Sequence, residues 1–376
     1  MIQILADKHL YGLPEALPAG VRLETFEPSD GLPETAGSFD ALLIRTVTPI
    51  HDRSLPDGPG ALKLIASATA GTDHVDIDWL NSAGIAFRNA AGCNARAVAE
   101  YVVTSIIIWS AENGFYPGEL KVGIVGVGHT GSEVADLLEE LGIPYLAYDP
   151  PRTSSDPEFK SCTRRELLES EILTFHTPLT DQGKWATRHW LDRHILEQHP
   201  FELIINAARG GVIHEKALYN AFLRGSVHSY ILDVWEHEPQ FNDLLANGAY
   251  LKTPHIAGYS LQAKWRATTM VARELAQFFE LDPPDDTYPG DILTMADLPV
   301  SDRENSLPAA MLKFLHPVAT YSERFEELIG LLPDKKSSRF QKLRTGFPLR
   351  NEFSHIRLPK ICFNRHPLLS KLGFVV

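Results

Sequence analysis

Residues 121–149 read KVGIVGVGHTGSEVADLLEELGIPYLAYD. A short apolar run meets a glycine turn, an amphipathic stretch follows, and a second apolar run ends in an acid. Gly126, Gly128 and Gly131 give G-x-G-x-x-G. In that pattern the first glycine permits a tight turn, the second lets a pyrophosphate approach the backbone, and the third lets helix pack closely on strand. The helix start offers unpaired N–H groups and a positive dipole end to phosphate. Val134, Leu137, Leu138 and Leu141 fall at i, i+3, i+4 and i+7, one buried helix face. Asp149 stands where a ribose-binding acid is expected, roughly 20 residues on. Strand, turn, helix and acid together point to a dinucleotide-binding Rossmann unit.

The chain has 376 residues, 44% hydrophobic and 22% charged, with a formal net charge of −13. That length predicts two or three domains, and the acid balance argues against phosphate-backbone binding to nucleic acid. The cysteines Cys93, Cys162 and Cys362 are scattered and odd in number, which suggests reduced thiols in a cytoplasmic protein. The start, MIQILADKHL, reads as a strand and not as a signal peptide. The most apolar stretch, 97–111, contains Glu100 and is too short to cross a bilayer.

Outward from the glycine turn, residues 1–95 alternate strand-like runs (2–6, 21–26, 41–44, 62–67, 85–87) with turn or helix signals. Asp7 follows the first run, Arg45, Thr46 and Thr48 the third, and Thr69-Ala-Gly-Thr72 the fourth. Ligands of open α/β sheets bind beyond the carboxyl ends of strands, so these hydroxyls read either as an anion cradle or as helix caps. After Asp149, runs at 171–175, 203–205 and 230–232 continue a second doubly wound sheet to about 256, and 263–280 reads as a helix. The Pro-, Asp- and Gly-rich 282–290 marks a boundary. Beyond it, 322–332 and 366–372 read as helices and 292–294, 356–358 and 374–376 as strands, a small α+β module suited to self-association.

Three later strand ends carry groups that hydride chemistry needs. Arg209, in Asn206-Ala-Ala-Arg209-Gly, can grip a carboxylate with a bidentate fork and orient the reacting carbon. His255, in Thr253-Pro-His255-Ile-Ala-Gly258-Tyr259, can take a hydroxyl proton as hydride leaves, since imidazole titrates near working pH. Glu238, in Asp233-Val-Trp-Glu-His-Glu238-Pro239, can hold that imidazole and raise its basicity. Singly each also reads as an ordinary loop residue. Glu236, His237 and Glu238 are sequence neighbours with no partner spacing for a metal, so no metal is expected. His189, His194 and His199 recur every five residues and read as surface, and Cys93 as a structural thiol.

Together these segments resemble the D-isomer-specific 2-hydroxyacid dehydrogenases over about residues 1–280. Arg45-Thr-Val-Thr48, Ala68-Thr-Ala-Gly-Thr-Asp-His74, Gly92-Cys-Asn94, Asp149-Pro-Pro, Thr174-Phe-His-Thr-Pro178 and His255-Ile-Ala-Gly-Tyr259 sharpen it towards members that oxidise 4-phospho-D-erythronate on the route to pyridoxal phosphate. The tail, ending Leu368-Leu-Ser-Lys-Leu-Gly-Phe374, is similar to their dimerisation domain, more loosely. The resemblance implies two Rossmann-like or flavodoxin-like domains and a small C-terminal α+β domain. These would be a substrate domain (1–98 and 258–283), an NAD domain (99–257) and a dimerisation domain (284–376). It implies Arg209, Glu238 and His255 as the catalytic set and Thr46, Thr69 and Tyr259 as substrate contacts. Gly126, Gly128, Gly131, Asp149, Thr177, Ala207, Ala208, Arg209, Asp233 and Gly258 would line the cofactor. Thr46 stands where the family commonly has serine, which keeps the hydroxyl and adds a methyl. Asp149 favours NAD over NADP, with Arg152 nearby as an opening for a 2′-phosphate. A phosphorylated hydroxy acid and a second copy of the chain are the expected partners, with no nucleic acid and no membrane. Two other readings stand beside this one: another D-2-hydroxyacid dehydrogenase, such as one acting on 3-phosphoglycerate, and an NAD-sensing binding protein on the same fold.

Overall fold

In the first parallel sheet of the computed structural model, alternate residues face opposite cores. The model describes residues 1–299 and 308–376, so 300–307 of the expected tail module lie outside the described residues. The strands are β1 (Ile2–Asp7), β2 (Val21–Phe26), β3 (Ala41–Ile44), β4 (Leu64–Ser67) and β5 (Ala86–Asn89), in the order β2-β1-β3-β4-β5. Ile4, Ala6, Leu43 and Ala66 pack on one face with Val271 and Leu275, while Leu5, Leu42, Ile44 and Ile65 pack on the other with Leu80. Burial on both faces is what an all-parallel sheet requires, and it explains the unbroken apolar runs at 41–44 and 64–66. This unit comprises Met1–Asn94 and Ser260–Gly290. The helix Leu261–Phe278 belongs to it, capped by Ser260, whose hydroxyl accepts from the Ala263 N–H.

The second unit comprises Ala95–Tyr259 and Asp291–Val376. Its strands are β6 (Val122–Val125), β7 (Tyr145–Tyr148), β8 (Ile172–Phe175), β9 (Phe201–Asn206), β10 (Val227–Leu232) and β11 (Leu251–Lys252), all parallel, in the order β11-β10-β9-β8-β6-β7. Strand order reverses between β6 and β8, the place where open α/β sheets take ligands. The glycine turn lies at the end of β6 and His176-Thr177 at the end of β8.

Glu100 shows how a charge sits in the most apolar helix, Ala95–Asn113. The residue is fully buried, and its carboxylate takes Arg96 at 3.1 Å, Arg350 at 2.5 Å and the Phe353 N–H at 2.9 Å. A buried charge is tolerated when paired and hydrogen-bonded in this way. Two of these partners come from the tail, which the sequence set apart as a third module from 284. The described tail instead shares one core with the NAD-type sheet. Met311, Phe325, Phe340 and Phe353 pack in the same cluster as Val102, Trp109 and Trp235.

Within the tail, the expected strands at 292–294 and 356–358 shrink to β12 (Leu293–Thr294) and β13 (Ile356–Arg357), which pair in parallel, and 374–376 supplies a single bridge from Val375 to Arg357. The expected helix at 322–332 is Val318–Phe325 plus one short turn, since Gly330 adopts a left-handed φ of 78° and Pro333 starts another helix. That helix, Pro333–Thr345, was not expected, because its face carries few apolar residues. Among the described residues no helix is long and apolar enough to cross a membrane.

Candidate active site

Three loops at the carboxyl edge of the second sheet are braced against one another. After β9, the Asn206 carboxamide oxygen accepts the Ala208 N–H at 3.1 Å and its amide donates to the Arg209 carbonyl at 3.0 Å, which fixes the turn holding Ala207, Ala208 and Arg209. A Cβ at Gly210 would stand 1.9 Å from the Trp235 carbonyl oxygen, so glycine alone lets the arginine loop press on the loop after β10. The Trp235 indole N–H in turn donates to the Thr253 carbonyl at 3.0 Å.

Asp233 is the pillar of the third loop. One carboxylate oxygen accepts the Thr253 hydroxyl and the Ile256 N–H, both at 2.7 Å, and the other the Ala257 N–H at 2.9 Å. Its backbone carbonyl accepts the His255 N–H at 2.7 Å, while His255 itself holds a left-handed φ of 59°. This expected cofactor-lining acid spends its carboxylate on Thr253, Ile256 and Ala257, residues that flank His255.

The result is a pair: His255 Nδ1 lies 2.5 Å from Glu238 Oε1, with both side chains partly buried. A carboxylate at Nδ1 fixes the proton there and leaves Nε2 as the basic nitrogen. Burial pushes the Glu238 carboxyl up, but the His255 ring, its hydrogen bond, the Arg344 charge and the Trp235 N–H together hold it below the ordinary value. Arg209 donates to the Ala208 carbonyl at 2.8 Å, and Tyr259 follows Gly258 on the His255 loop.

Sequence reading missed three features around this pair. Arg344, on the tail helix Pro333–Thr345, donates its Nε–H to the Tyr259 hydroxyl at 3.1 Å. His189 is partly buried, not surface: its Nε2 lies 2.8 Å from Glu236 Oε1 and its ring 4.5 Å from that of His214. Glu236 and Glu238 thus turn to different histidines, and among the described residues no group of three or more metal-ligating side chains gathers. Glu215 is the third. It is buried and accepts the Glu236 N–H at 2.5 Å. Adjacent glutamates along the chain gave no sign that one would be buried under the others.

Burial pushes the Glu215 carboxyl up to about 8, against the pull of the Glu236 N–H and with the push of the Glu236 and Glu238 charges. The folded protein therefore keeps a proton that the unfolded chain has lost above about pH 4.3. Stability falls as pH rises from there towards 8. Glu215→Gln is expected to melt higher than the parent at pH 8, by on the order of a few kcal/mol, with the gap closing towards pH 4. A gap independent of pH would contradict this.

The glycine turn fits a dinucleotide. A Cβ at Gly131 would lie 2.0 Å from the Gly126 carbonyl, which forces helix and turn together, whereas a Cβ at Gly128 would meet nothing within 4 Å. No side chain caps the helix His129–Leu141, which leaves its first N–H groups without a side-chain acceptor, and the Thr177 hydroxyl beside the turn is buried without a hydrogen-bond partner. Asp149 accepts the Val127 N–H at 2.8 Å and, as the cap of Pro150–Ser155, the Arg152 N–H at 3.0 Å. Each carboxylate oxygen keeps a lone pair for a ribose hydroxyl. Arg152, expected as an opening for a 2′-phosphate, is committed instead to the Val127 carbonyl, Ser132 and Asp156, stacked over Phe159.

In the first unit, Thr46 is exposed beyond β3, and the Thr69 hydroxyl donates to the Gly71 carbonyl at 2.9 Å and meets Ser67 at 2.8 Å. Arg45 is clamped on the buried Asp7 at 2.7 and 3.1 Å. Cys93 is buried and its thiol pushed up to about 11, which suits a structural role.

The family model for the D-isomer specific 2-hydroxyacid dehydrogenase NAD binding domain matches residues 107–257. A curated erythronate-4-phosphate dehydrogenase of Photorhabdus laumondii subsp. laumondii is 36% identical over 381 aligned residues, covering 99% of each chain. The chain belongs to the erythronate-4-phosphate dehydrogenase family. The relative of that name from Escherichia fergusonii is 40% identical over 74% of this chain and 73% of its own. Among solved structures, an NAD+-bound 3-phosphoglycerate dehydrogenase of Entamoeba histolytica has the same fold, with a TM-score of 0.60 at 23% identity over 77% of this chain and 98% of its own. The family's fold accounts for both parallel sheets, and its NAD-binding domain for the glycine turn.

Proposed function

We propose that this chain oxidises 4-phospho-D-erythronate at its 2-hydroxyl to the 2-oxo acid, with NAD, on the route to pyridoxal 5′-phosphate. The observation that carries the reading is the His255–Glu238 pair at 2.5 Å, held across two loops, of which that of Glu238 is braced against the loop of Arg209. Gly126, Gly128, Gly131, Asp149 and Thr177 would hold the cofactor. Ala207, Ala208, Asp233 and Gly258 belong to the loops beside them. When bound, NAD supplies the acceptor for the hydride of C2.

The chain's own residues do the rest. Arg209 grips the carboxylate and orients C2. His255 Nε2 takes the hydroxyl proton as the C–O bond becomes a carbonyl, and Glu238 stabilises the imidazolium that forms. Thr46, Thr69 and Tyr259 are the proposed hydroxyl contacts to substrate. At equal concentration, 4-phospho-D-erythronate should be oxidised in clear preference to 3-phosphoglycerate. The reverse preference would sink the substrate assignment, and no oxidation of either by NAD-binding protein would favour a sensor.

We also propose a cytoplasmic homodimer joined through the tail. Phe314, Leu332, Ile361 and Val376 are apolar and 56%, 71%, 50% and 65% exposed, a pattern suited to a covered surface. Sedimentation at twice the chain mass is expected, and a monomer at micromolar concentration would contradict it.

A further inference from the structure

Arg344 is not a loose surface arginine. Lys336, Phe340 and Arg344 stand at i, i+4 and i+8 on the helix Pro333–Thr345, one face of it. The Lys336 ammonium takes Asp243 at 2.6 Å and the Phe241 carbonyl at 3.3 Å, and lies over the Phe241 ring. Phe340 packs against Phe241 and Phe325, which themselves pack on Trp235, three residues before Glu238. Gln240 ties the helix start to the same loop by donating to the Pro333 carbonyl at 2.9 Å. The helix is therefore fixed to the loop that bears the acid of the pair, and its last turn delivers a guanidinium to Tyr259.

We propose that Arg344 is a substrate-binding residue that takes the phosphate of the hydroxy acid, so that the C-terminal tail takes part in substrate choice. The assignment rests on the reading that the substrate is a phosphorylated 2-hydroxy acid. A phosphate monoester is largely dianionic near pH 7 and calls for a cation with several donors. The other cations near the strand ends have tasks already. Arg45 is neutralised by Asp7 through two hydrogen bonds, and Arg209 is the partner for the carboxylate next to the reacting carbon. Thr46 and Thr69 offer hydroxyls but no charge. Arg344 spends its Nε–H on a neutral phenol, and its two terminal nitrogens carry the other four N–H donors of the fork. Its charge also helps to hold the Glu238 carboxyl below the ordinary value.

The competing role is positional: Arg344 would act only through Glu238 or Tyr259. Substrates with and without the phosphate separate the two. Arg344→Gln and Arg344→Lys would be assayed with 4-phospho-D-erythronate and with D-erythronate, and each protein titrated with inorganic phosphate by calorimetry. Fluorescence titration with NAD reports whether each variant is folded. The expected result for Arg344→Gln is a fall of about 10²-fold in kcat/KM for the phosphorylated substrate, chiefly in KM. D-erythronate should change less than about threefold, and phosphate affinity should be lost while NAD affinity is kept. Arg344→Lys should fall between, since charge survives and the fork does not. Equal losses on both substrates, a shifted pH profile with the substrate ratio intact, or unchanged phosphate affinity would overturn the assignment. If the parent protein does not oxidise 4-phospho-D-erythronate, the functional reading fails by itself, and the phosphate titration of parent and variants still decides the role of Arg344.

Discussion

Replacing His255 by alanine is expected to lower turnover of 4-phospho-D-erythronate by about 10³-fold and to leave NAD affinity unchanged. His255 reaches its position through a chain of backbone and side-chain bonds. Asp233 holds the residues on both sides of it, and Tyr101 donates to Thr253, whose own hydroxyl is given to Asp233. None of these bonds uses the imidazole, so truncation removes the base without releasing the loop. The cofactor cradle lies at the ends of β6 and β8 and should not sense the change. Steady-state rates and a fluorescence titration with NAD check both halves. Turnover within tenfold of the parent would mean that another group takes the proton.

Glu238→Gln tests the orientation of that base and should cost about as much, up to about 10⁴-fold. The substitution keeps volume and one oxygen, but it brings an N–H₂ that can donate to Nδ1. A ring that accepts at Nδ1 carries its proton on Nε2, where the basic lone pair is needed. The effect should fall on kcat, with KM nearly unchanged, because Glu238 acts on the transition state through His255. Acid stability should change as well. The Glu238 carboxyl is held below the ordinary value by His255 and Arg344, against the push of burial. The stability it lends is present above about pH 4.3 and is lost as pH falls through the lowered folded value. The parent should therefore lose its advantage over Glu238→Gln on acidification. A variant with parental kcat would contradict the tautomer argument.

The residues that sequence reading found share one property: their signals are local. The glycine turn, the helix period of Val134, Leu137, Leu138 and Leu141, and the polar residues just past each strand are all set by neighbours along the chain. Burial of both sheet faces follows from the same apolar runs. What escaped depends on distant contacts. Asp149 was legible as an acid after a strand, but not as the acceptor of the Val127 N–H, 22 residues away. Arg152 looked available for a phosphate because two of its partners, at 127 and 132, are brought to it by folding. His189 met Glu236 from 47 residues away. The tail reads as a separate module because Asp282 to Gly290 interrupts the pattern, yet its aromatic residues share one core with the second sheet. Arg344 lies on a helix too polar to announce itself. Its one signal was the i, i+4, i+8 placing of Lys336, Phe340 and Arg344 after a Pro at the first helical position.

The central claim is that hydride leaves C2 of a phosphorylated four-carbon hydroxy acid for NAD while His255 takes the hydroxyl proton. The most direct measurement uses 4-phospho-D-erythronate deuterated at C2, with NAD and stoichiometric protein. The 2-oxo acid would be assayed chemically, and deuterium located by mass spectrometry. The expected result is 2-oxo acid together with deuterium on the nicotinamide ring, and neither from the His255→Ala protein in the same time. Absence of 2-oxo acid from folded, NAD-binding protein, or deuterium released to water, would contradict it.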